Sequence, residues 1–221
     1  LKQKMTSKTN WLTSEIMALI KREFCVSYSK SQVVRILRGF GMHYAKPYPQ
    51  DYRRPNDAEE LLRNAVAGAV DGISQAVVGF FDEVSPQTAD NKQRVWSFTK
   101  PRVVKNTTKY KANTFGFYPI NGNEVIDFKQ DSKISSVREF FRLVSERNHG
   151  KKIIMFLDNF KSHVANATKA FAKSLGIVLV FLPKYSPHLN PIEFVWKSLK
   201  IILSQIFAKS EWSFKETIRT V

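Results

Sequence analysis

Three acidic residues in this sequence could bind a metal ion together. Asp82 follows the apolar run 76–81, and Asp158 follows the apolar run 153–157. Glu193 lies in the first turn of a predicted helix that comes after a third apolar run. Carboxylates that meet at the ends of such strands repel one another unless a cation lies between them. Their types and positions therefore predict a divalent metal site.

Each acid also has a structural explanation that requires no ligand. Asp158 could lie in an exposed turn, and Glu193 could cap a helix with Asn190 as its N-cap and Pro191 as its first residue. Either explanation is adequate for one residue taken alone. The prediction of a site therefore depends on whether the fold brings the three acids together.

The predicted elements place these acids at one edge of a mixed sheet. After residue 75 the pattern predicts strand 76–81, a basic segment 92–111, a hairpin 114–128 turning at Asn121-Gly122, helix 136–150, strand 153–157, helix 162–175, strand 177–182, a helix after Asn190 and a final helix 211–221. Strands joined by helices are parallel, whereas the hairpin is antiparallel. In that topology the carboxyl ends of the first and fourth strands lie side by side, which places Asp82 beside Asp158. Glu193 reaches the same edge from the helix that begins after Asn190.

The balance of charges predicts a polyanionic partner. The 221 residues carry a formal net charge of +16 and a sequence pI near 9.9. The segment 92–111 has seven basic residues and no acidic ones, namely Lys92, Arg94, Lys100, Arg102, Lys105, Lys109 and Lys111. A solvated surface would normally mix both signs, so this segment favours DNA over a membrane surface or an acidic protein. Trp96, within the segment, is a candidate for stacking on DNA, whereas Trp196 and Trp212 are predicted core residues.

Nothing in the sequence indicates export or membrane insertion. Neither a signal-like segment nor an apolar run of membrane length is present, so we expect an intracellular protein that resides with the DNA, in the cytoplasm or nucleoid of a prokaryotic host. The single cysteine, Cys25, excludes an internal disulfide and is predicted to be buried.

Residues 1–45 predict a helix-turn-helix DNA-binding domain. The second of two short helices begins with a capping box formed by Ser29 and Gln32. Its outward face is predicted to contact DNA through Lys30, Gln32, Arg35 and Arg38. Any helical hairpin with a charged face would give the same pattern, and the basic charge of the chain favours the DNA-binding interpretation. The segment 42–45 could form a small wing.

A proline-rich segment separates this domain from the rest of the chain. Residues 46–56 predict an extended basic linker, and residues 57–221 predict a catalytic domain. Further candidates for DNA contact lie in the linker and in the basic segment, namely Arg53, Arg54, Lys100, Arg102 and Lys105.

The acidic motifs resemble those of a known enzyme family. They are Phe81-Asp82-Glu83, Asp158-Asn159 followed by His163, and Ser186-Pro187 through Leu189-Asn190-Pro191-Ile192-Glu193 with Trp196. Thirty-four residues separate Asp158 from Glu193. In these respects the chain resembles the DDE transposases of the mariner-like and insertion-sequence group, which belong to the integrase superfamily. The resemblance begins near Asp57 and extends along the rest of the chain.

The resemblance implies both a fold and a site. The fold would be α/β, a ribonuclease H-like mixed sheet flanked by helices, preceded by a small all-α helix-turn-helix domain. Asp82, Asp158 and Glu193 would be the catalytic metal ligands. Asn159 and His163 are candidates to support them, Asn159 by fixing the turn after its strand and His163 by approaching the site or packing locally. The sequence departs from the family at His188, where an acidic residue is expected, and in having one helix-turn-helix instead of two.

The expected function is metal-dependent strand cleavage and strand transfer at the ends of a mobile element, of the cut-and-paste type. Carboxylate ligands favour Mg²⁺ or Mn²⁺, as a pair of ions about 3.5–4 Å apart. The expected partners are the terminal inverted repeats, the target DNA and a second copy of the chain in a homodimer, with no membrane partner. The alternatives are a ribonuclease H-like nuclease without strand transfer, a DNA-binding regulator and an inactive transposase remnant.

Overall fold

The computed structural model describes residues 1–8, 10–45, 51–70, 75–89, 104–105, 108–204 and 206–221. The chain divides into two compact units, residues 1–49 and residues 50–221. None of the helices in the described ranges is long and apolar enough to cross a membrane.

The N-terminal unit is a small helical domain with its own apolar core. A 3-10 helix spans Gln3–Ser7, α1 spans Thr13–Phe24 and α2 spans Lys30–Gly39. Their buried side chains form one cluster, consisting of Met5, Ile16, Leu19, Ile20 and Val33. The predicted capping box is confirmed, because Ser29 Oγ accepts from the Gln32 N–H at 3.3 Å and Gln32 Oε1 accepts from the Ser29 N–H at 2.8 Å.

One expectation for this unit is wrong. Cys25 is exposed, because it occupies the C-cap of α1 with φ of 54°, outside the apolar cluster. The segment 42–45 contains no strand, and the wing suggested there stays a prediction. A short segment needs a pairing partner to become a strand, and every strand in the described ranges lies in the second unit.

The second unit is built on a mixed five-stranded sheet, as the sequence predicts. Its elements are α3 (Ala58–Val70), β1 (Val77–Val84), β2 (Thr114–Pro119), β3 (Val125–Phe128), α4 (Ile134–Arg147), β4 (Ile153–Leu157), α5 (Lys161–Val164), α6 (Asn166–Ser174), β5 (Ile177–Phe181), a 3-10 turn (Pro187–Leu189), α7 (Ile192–Leu203) and α8 (Glu211–Thr220). The strand order is β3-β2-β1-β4-β5. The strand β2 pairs with β1 and with β3 in antiparallel orientation. The strand β4 pairs with β1 and with β5 in parallel orientation.

Apolar side chains cover both faces of this sheet. On one face, Phe81 and Phe115 pack against Phe140 of α4. On the other face, α3 covers β4 and β5, whereas α7 and α8 cover the first strands of the sheet. Because successive strand residues point to opposite faces, Asp82 lies on the α7 face and its neighbour Glu83 on the α4 face.

The region 162–175 and Trp212 differ from the sequence prediction. The helix predicted over 162–175 is two helices, because Ala165 adopts an extended conformation with ψ of 137° and the Thr168 hydroxyl donates to the Ser162 carbonyl at 2.6 Å. Trp212 is 72% exposed and not a core residue, since α8 packs through Phe214 and Ile218 instead.

Candidate functional site

The register of the strands brings Asp82 level with Asp158. The strand β1 is longer than predicted, so Asp82 lies within it, opposite Gly116 of β2. Parallel pairing between β1 and β4 nevertheless ends earlier, at Phe80 and Phe156. Continuing the same register by two residues aligns Asp82 with Asp158. The two carboxylates therefore lie just beyond the point where the parallel pair separates.

The three predicted acids line one cleft of about 490 Å³. Asp82 and Asp158 enter it from the sheet, and Glu193 enters from the first turn of α7. The other walls come from the ends of β4 and β5 and from the chain leading to α7, namely Asn159, Phe160, Leu182, Pro183, Lys184, Tyr185, Ser186, Pro187 and Asn190. The fold thus gathers residues that are far apart in the sequence.

Burial and the repulsion of neighbouring acids disfavour a negative charge on Asp82. Burial, together with the charges of Glu193 and Asp158, raises the pKa of its carboxyl to about 7. Hydrogen bonds from the Glu83 backbone and from the Trp196 side chain oppose this rise. Asp82 is therefore a buried acid that faces two like charges.

His163 holds Asp158 and connects it to Glu83. The imidazole is 2% exposed, with Nδ1 2.6 Å from Asp158 Oδ1 and Nε2 3.2 Å from Glu83 Oε1. Burial alone would lower the pKa of His163, but the hydrogen bonds to both carboxylates outweigh it and raise that pKa to about 9. For Asp158, burial raises the pKa, but His163 and the Phe160 N–H outweigh it and hold the value below the usual range. An imidazolium therefore bridges the two acids at neutral pH.

Glu83 is connected to this site through His163, although it is not among the site residues predicted from the sequence. It follows Asp82 directly, and the alternation of strand residues turns it to the opposite face of the sheet, where His163 packs against the edge of Phe81. That alternation is the signal that would have found it. Asn159 connects the turn after β4 to the end of β5, because its Nδ2 donates to the Leu182 carbonyl at 2.6 Å.

The start of α7 differs from the prediction in its cap. The Asn190 carbonyl accepts from the Glu193 N–H at 3.1 Å, but the Asn190 side chain does not cap the helix. Its Oδ1 is buried and has no hydrogen-bond partner among the described residues. One turn later, Trp196 is 2% exposed, as expected for a core residue, and its Nε1–H donates to Asp82 Oδ2 at 3.0 Å.

The donor set fits a divalent cation, although the side chains would have to adjust. As they stand, no three His, Cys, Asp or Glu side chains in the described ranges are gathered closely enough to hold an ion. Asp158 Oδ1 is occupied by His163 and by the Phe160 N–H. However, the Asp158 side chain is 54% exposed and Glu193 is exposed, so both can reorient. A cation would relieve the repulsion that acts on Asp82.

The residues predicted to contact DNA lie on α2, in the basic segment and in the linker. On α2, the predicted side chains are all exposed, namely Lys30, Gln32, Arg35 and Arg38. In the basic segment, Lys100, Arg102 and Trp96 lie outside the described residues. Lys105 makes internal contacts, because its Nζ donates to the carbonyls of Leu203 and Ile206 at 3.0 and 3.2 Å. These contacts occupy its ammonium group at the C-terminal end of α7.

The two arginines of the predicted linker also make internal contacts. Arg53 forms two hydrogen bonds with the Asp51 carboxylate, and its guanidinium lies 4.0 Å from the ring centroid of Tyr185. Arg54 hydrogen-bonds to Glu59 and lies 3.0 Å from Nε2 of His188. Its side chain is only 14% exposed. The residue at position 188, which departs from the family pattern, thus has a polar partner within this unit.

Arg54→Gln tests whether this arginine supports the fold or contacts DNA. We expect the free energy of unfolding to fall by about 1 kcal/mol, because charged hydrogen bonds are lost while Glu59 remains half-exposed. The slope of log affinity for DNA against log salt concentration should not change. The control is Arg63→Gln, on the exposed face of α3, which should alter stability by less than about 0.5 kcal/mol. A slope reduced by about 0.9 in the Arg54 variant would instead indicate a phosphate contact.

Two family models match the chain. Residues 77–218 match the model described as "DDE superfamily endonuclease", and residues 7–60 match the model described as "Winged helix-turn helix". No curated protein sequence gives a match.

Several solved structures share the fold. The Mos1 mariner paired-end complex with Mn aligns with a TM-score of 0.63 at 15% identity, covering 96% of this chain and 71% of that one. The Mos1 strand transfer complex gives 0.58 at 15% identity, covering 95% and 69%. The catalytic domain of the Mos1 mariner transposase gives 0.55 at 14% identity, covering 80% and 84%. At these identities the matches establish the architecture, a ribonuclease H-like mixed sheet flanked by helices with a helical N-terminal region.

Proposed function

The chain belongs to the DDE superfamily of endonucleases, and on that premise we propose that it is a cut-and-paste DNA transposase. The observation that supports this most is the shared cleft, which Asp82, Asp158 and Glu193 all line beyond the end of the parallel strands. The match of the N-terminal region to a winged helix-turn-helix model adds a DNA-binding part to the endonuclease part. An enzyme with both parts can recognise a DNA end and process it.

We infer that the three carboxylates bind Mg²⁺ or Mn²⁺, as a two-ion site. Supporting observations are the oxygen-only donor set, the repulsion that acts on Asp82, and solved Mos1 complexes that contain Mn and Mg. The chemistry that such ions supply when bound is activation of a water or a 3′-hydroxyl and stabilisation of the leaving oxygen.

The protein's own residues set the shape of this site. His163 and the Phe160 N–H both hold Asp158 Oδ1, which leaves Oδ2 available to a ligand. Asn159 ties the turn after β4 to the end of β5, so Asp158 projects from a braced turn. Apolar Leu182 and Pro183 form part of the wall beside the acids and reduce the water around them.

The partners proposed for this chain are double-stranded DNAs. The exposed α2 side chains would read the terminal inverted repeats, and a homodimer would hold two ends together, as expected of a protein whose fold matches paired-end complexes. We retain residues 1–45 as the DNA-binding domain, 46–56 as the linker and 57–221 as the catalytic domain. We expect the protein to be located in the cell together with the DNA that carries the element.

Replacing Arg35 and Arg38 together with alanine tests this division of labour. Binding to the element's ends should weaken, because base contacts specify the sequence, while metal-dependent nicking of non-specific DNA should persist. Arg138→Ala combined with Arg142→Ala, on exposed positions of α4, provides a control with the same loss of charge. Equal loss of end binding and nicking in the α2 variant would contradict the assignment.

A strand-transfer assay tests the proposed function directly. The protein is incubated with Mn²⁺, a target plasmid and DNA carrying a pre-cut 3′ end from the element that encodes it. A transposase joins the 3′ end to the target. A nuclease without strand transfer nicks the DNA but forms no joined product, and a DNA-binding regulator or inactive remnant does neither.

A further inference from the structure

The helix α7 contributes to the site in two ways. Glu193, in its first turn, lines the cleft directly. Trp196 lies three residues later, on the same side of the helix, and its indole N–H donates to Oδ2 of Asp82 at 3.0 Å. One rigid element therefore carries one acid of the site and the donor that holds another.

The strand β2 provides the space that this hydrogen bond requires. Gly116 is the residue opposite Asp82 in the antiparallel register. A Cβ atom at position 116 would lie 2.4 Å from Cη2 and 2.6 Å from Cζ2 of the Trp196 ring. The backbone of Gly116 is not in the left-handed region, so its conformation does not require glycine. Glycine within a strand is unfavourable, and here the close approach of the indole explains it.

We propose that Trp196 is a positioning residue for Asp82, and that Gly116 is part of the same device because it admits the indole. The hydrogen bond fixes one oxygen of the carboxylate and leaves the other for a cation shared with Asp158 and Glu193. Because Glu193 and Trp196 belong to the same helix, a shift of α7 would move Glu193 together with the donor that holds Asp82. The proposal rests on the proposed function, since it concerns how a metal ligand is oriented.

A purely structural role for Trp196 makes a different prediction. The ring also packs in the apolar cluster of α7 and α8 with Leu199 and Phe214. If packing were its whole role, a phenylalanine at this position would retain most of the apolar contact. Trp196→Phe would then lower only the stability of the fold. If the N–H orients Asp82, Trp196→Phe also lowers the affinity for the metal ion.

Trp196→Phe removes the donor and keeps an apolar ring. The full chain is titrated with Mn²⁺ by calorimetry, and its melting temperature is measured without metal. We expect the dissociation constant for Mn²⁺ to rise about 10- to 100-fold, the usual effect of removing a group that orients a metal ligand. Trp212→Phe is the matched control, because that ring is 72% exposed, and it should leave the constant unchanged.

Gly116→Ala keeps the indole but displaces it, and so decides the question even if Trp196→Phe does not fold. It should weaken Mn²⁺ binding by a similar factor, whereas Gly68→Ala, where a Cβ meets nothing within 4 Å, should not. When Trp196→Phe is already present, adding Gly116→Ala should weaken Mn²⁺ binding much less. The ring atoms that would clash with the new Cβ are absent from phenylalanine.

The outcomes separate this proposal from the function on which it rests. If Asp82→Asn abolishes Mn²⁺ binding but Trp196→Phe and Gly116→Ala each stay within about twofold of the wild-type constant, Trp196 only packs and the proposal is overturned. If the wild-type chain shows no Mn²⁺ binding that depends on Asp82, the metal site itself is wrong, and the proposal falls with it.

Discussion

Glu193→Gln is expected to abolish metal-dependent DNA cleavage without destabilising the metal-free protein. The side chain is exposed and caps nothing, so its charge matters mainly to the neighbouring acids. Removing that charge relieves the repulsion that acts on Asp82. The melting temperature without metal should therefore equal or slightly exceed that of the wild type. Adding Mn²⁺ should raise it less, because one anionic ligand is missing.

The control for this change is Glu60→Gln. Glu60 is also exposed and lies in the first turn of α3. Both substitutions therefore remove one favourable negative charge from a helix N-terminus. That variant should cleave DNA at the wild-type rate. Asp82→Asn and Asp158→Asn should lose cleavage as Glu193→Gln does, with DNA binding retained. Cleavage by Glu193→Gln at close to the wild-type rate would refute the three-carboxylate site and favour a DNA-binding protein.

His163→Leu is expected to reduce both stability and cleavage strongly. The substitution leaves Glu83, whose side chain is 13% exposed, without its cationic partner. Removing one member of a buried charge pair costs about 3–5 kcal/mol. It also releases Asp158 from the group that holds its Oδ1, so cleavage should fall by a further factor of about 10–100 at temperatures where the variant is folded. Chemical denaturation and a cleavage assay measure the two effects separately.

A double variant separates the two roles of the histidine. In Glu83→Leu/His163→Leu no buried charge is left unpaired, so much of the lost stability should return. Cleavage should remain low, because Asp158 is still not held. His149→Leu, at an exposed position, is the control for removing an imidazole. Recovery of cleavage together with stability in the double variant would show that His163 acts only on the fold.

The parts of this site that the sequence predicts are those that depend on strand order. Apolar runs that end at Asp82 and Asp158, separated by a hairpin and a helix, are enough to predict parallel neighbours with adjacent ends. The contacts that orient the acids depend on tertiary distances that no local pattern encodes. The hydrogen bond from Trp196 to Asp82 spans 114 positions, and the contact between His163 and Glu83 spans 80.

Charge composition alone does not show which partner a basic residue contacts. The predicted DNA contacts include Arg53, Arg54 and Lys105, because these residues are basic and lie in basic segments. In the structure all three make internal contacts, with a carboxylate, with His188 or with backbone carbonyls. A positive residue near the surface has several partners available, and a composition count does not distinguish them.

The two acids of the sheet are braced from opposite sides, Asp82 by Trp196 on the α7 face and Asp158 by His163 on the α4 face. This has a consequence for mobile elements, whose copies accumulate random substitutions once selection on them ends. A copy can keep all three acids and still encode an inactive transposase. Substitutions at Gly116, Glu83 or His163 would move the acidic side chains out of position. Among related copies, intact bracing residues should therefore indicate recent activity better than an intact acidic triad does.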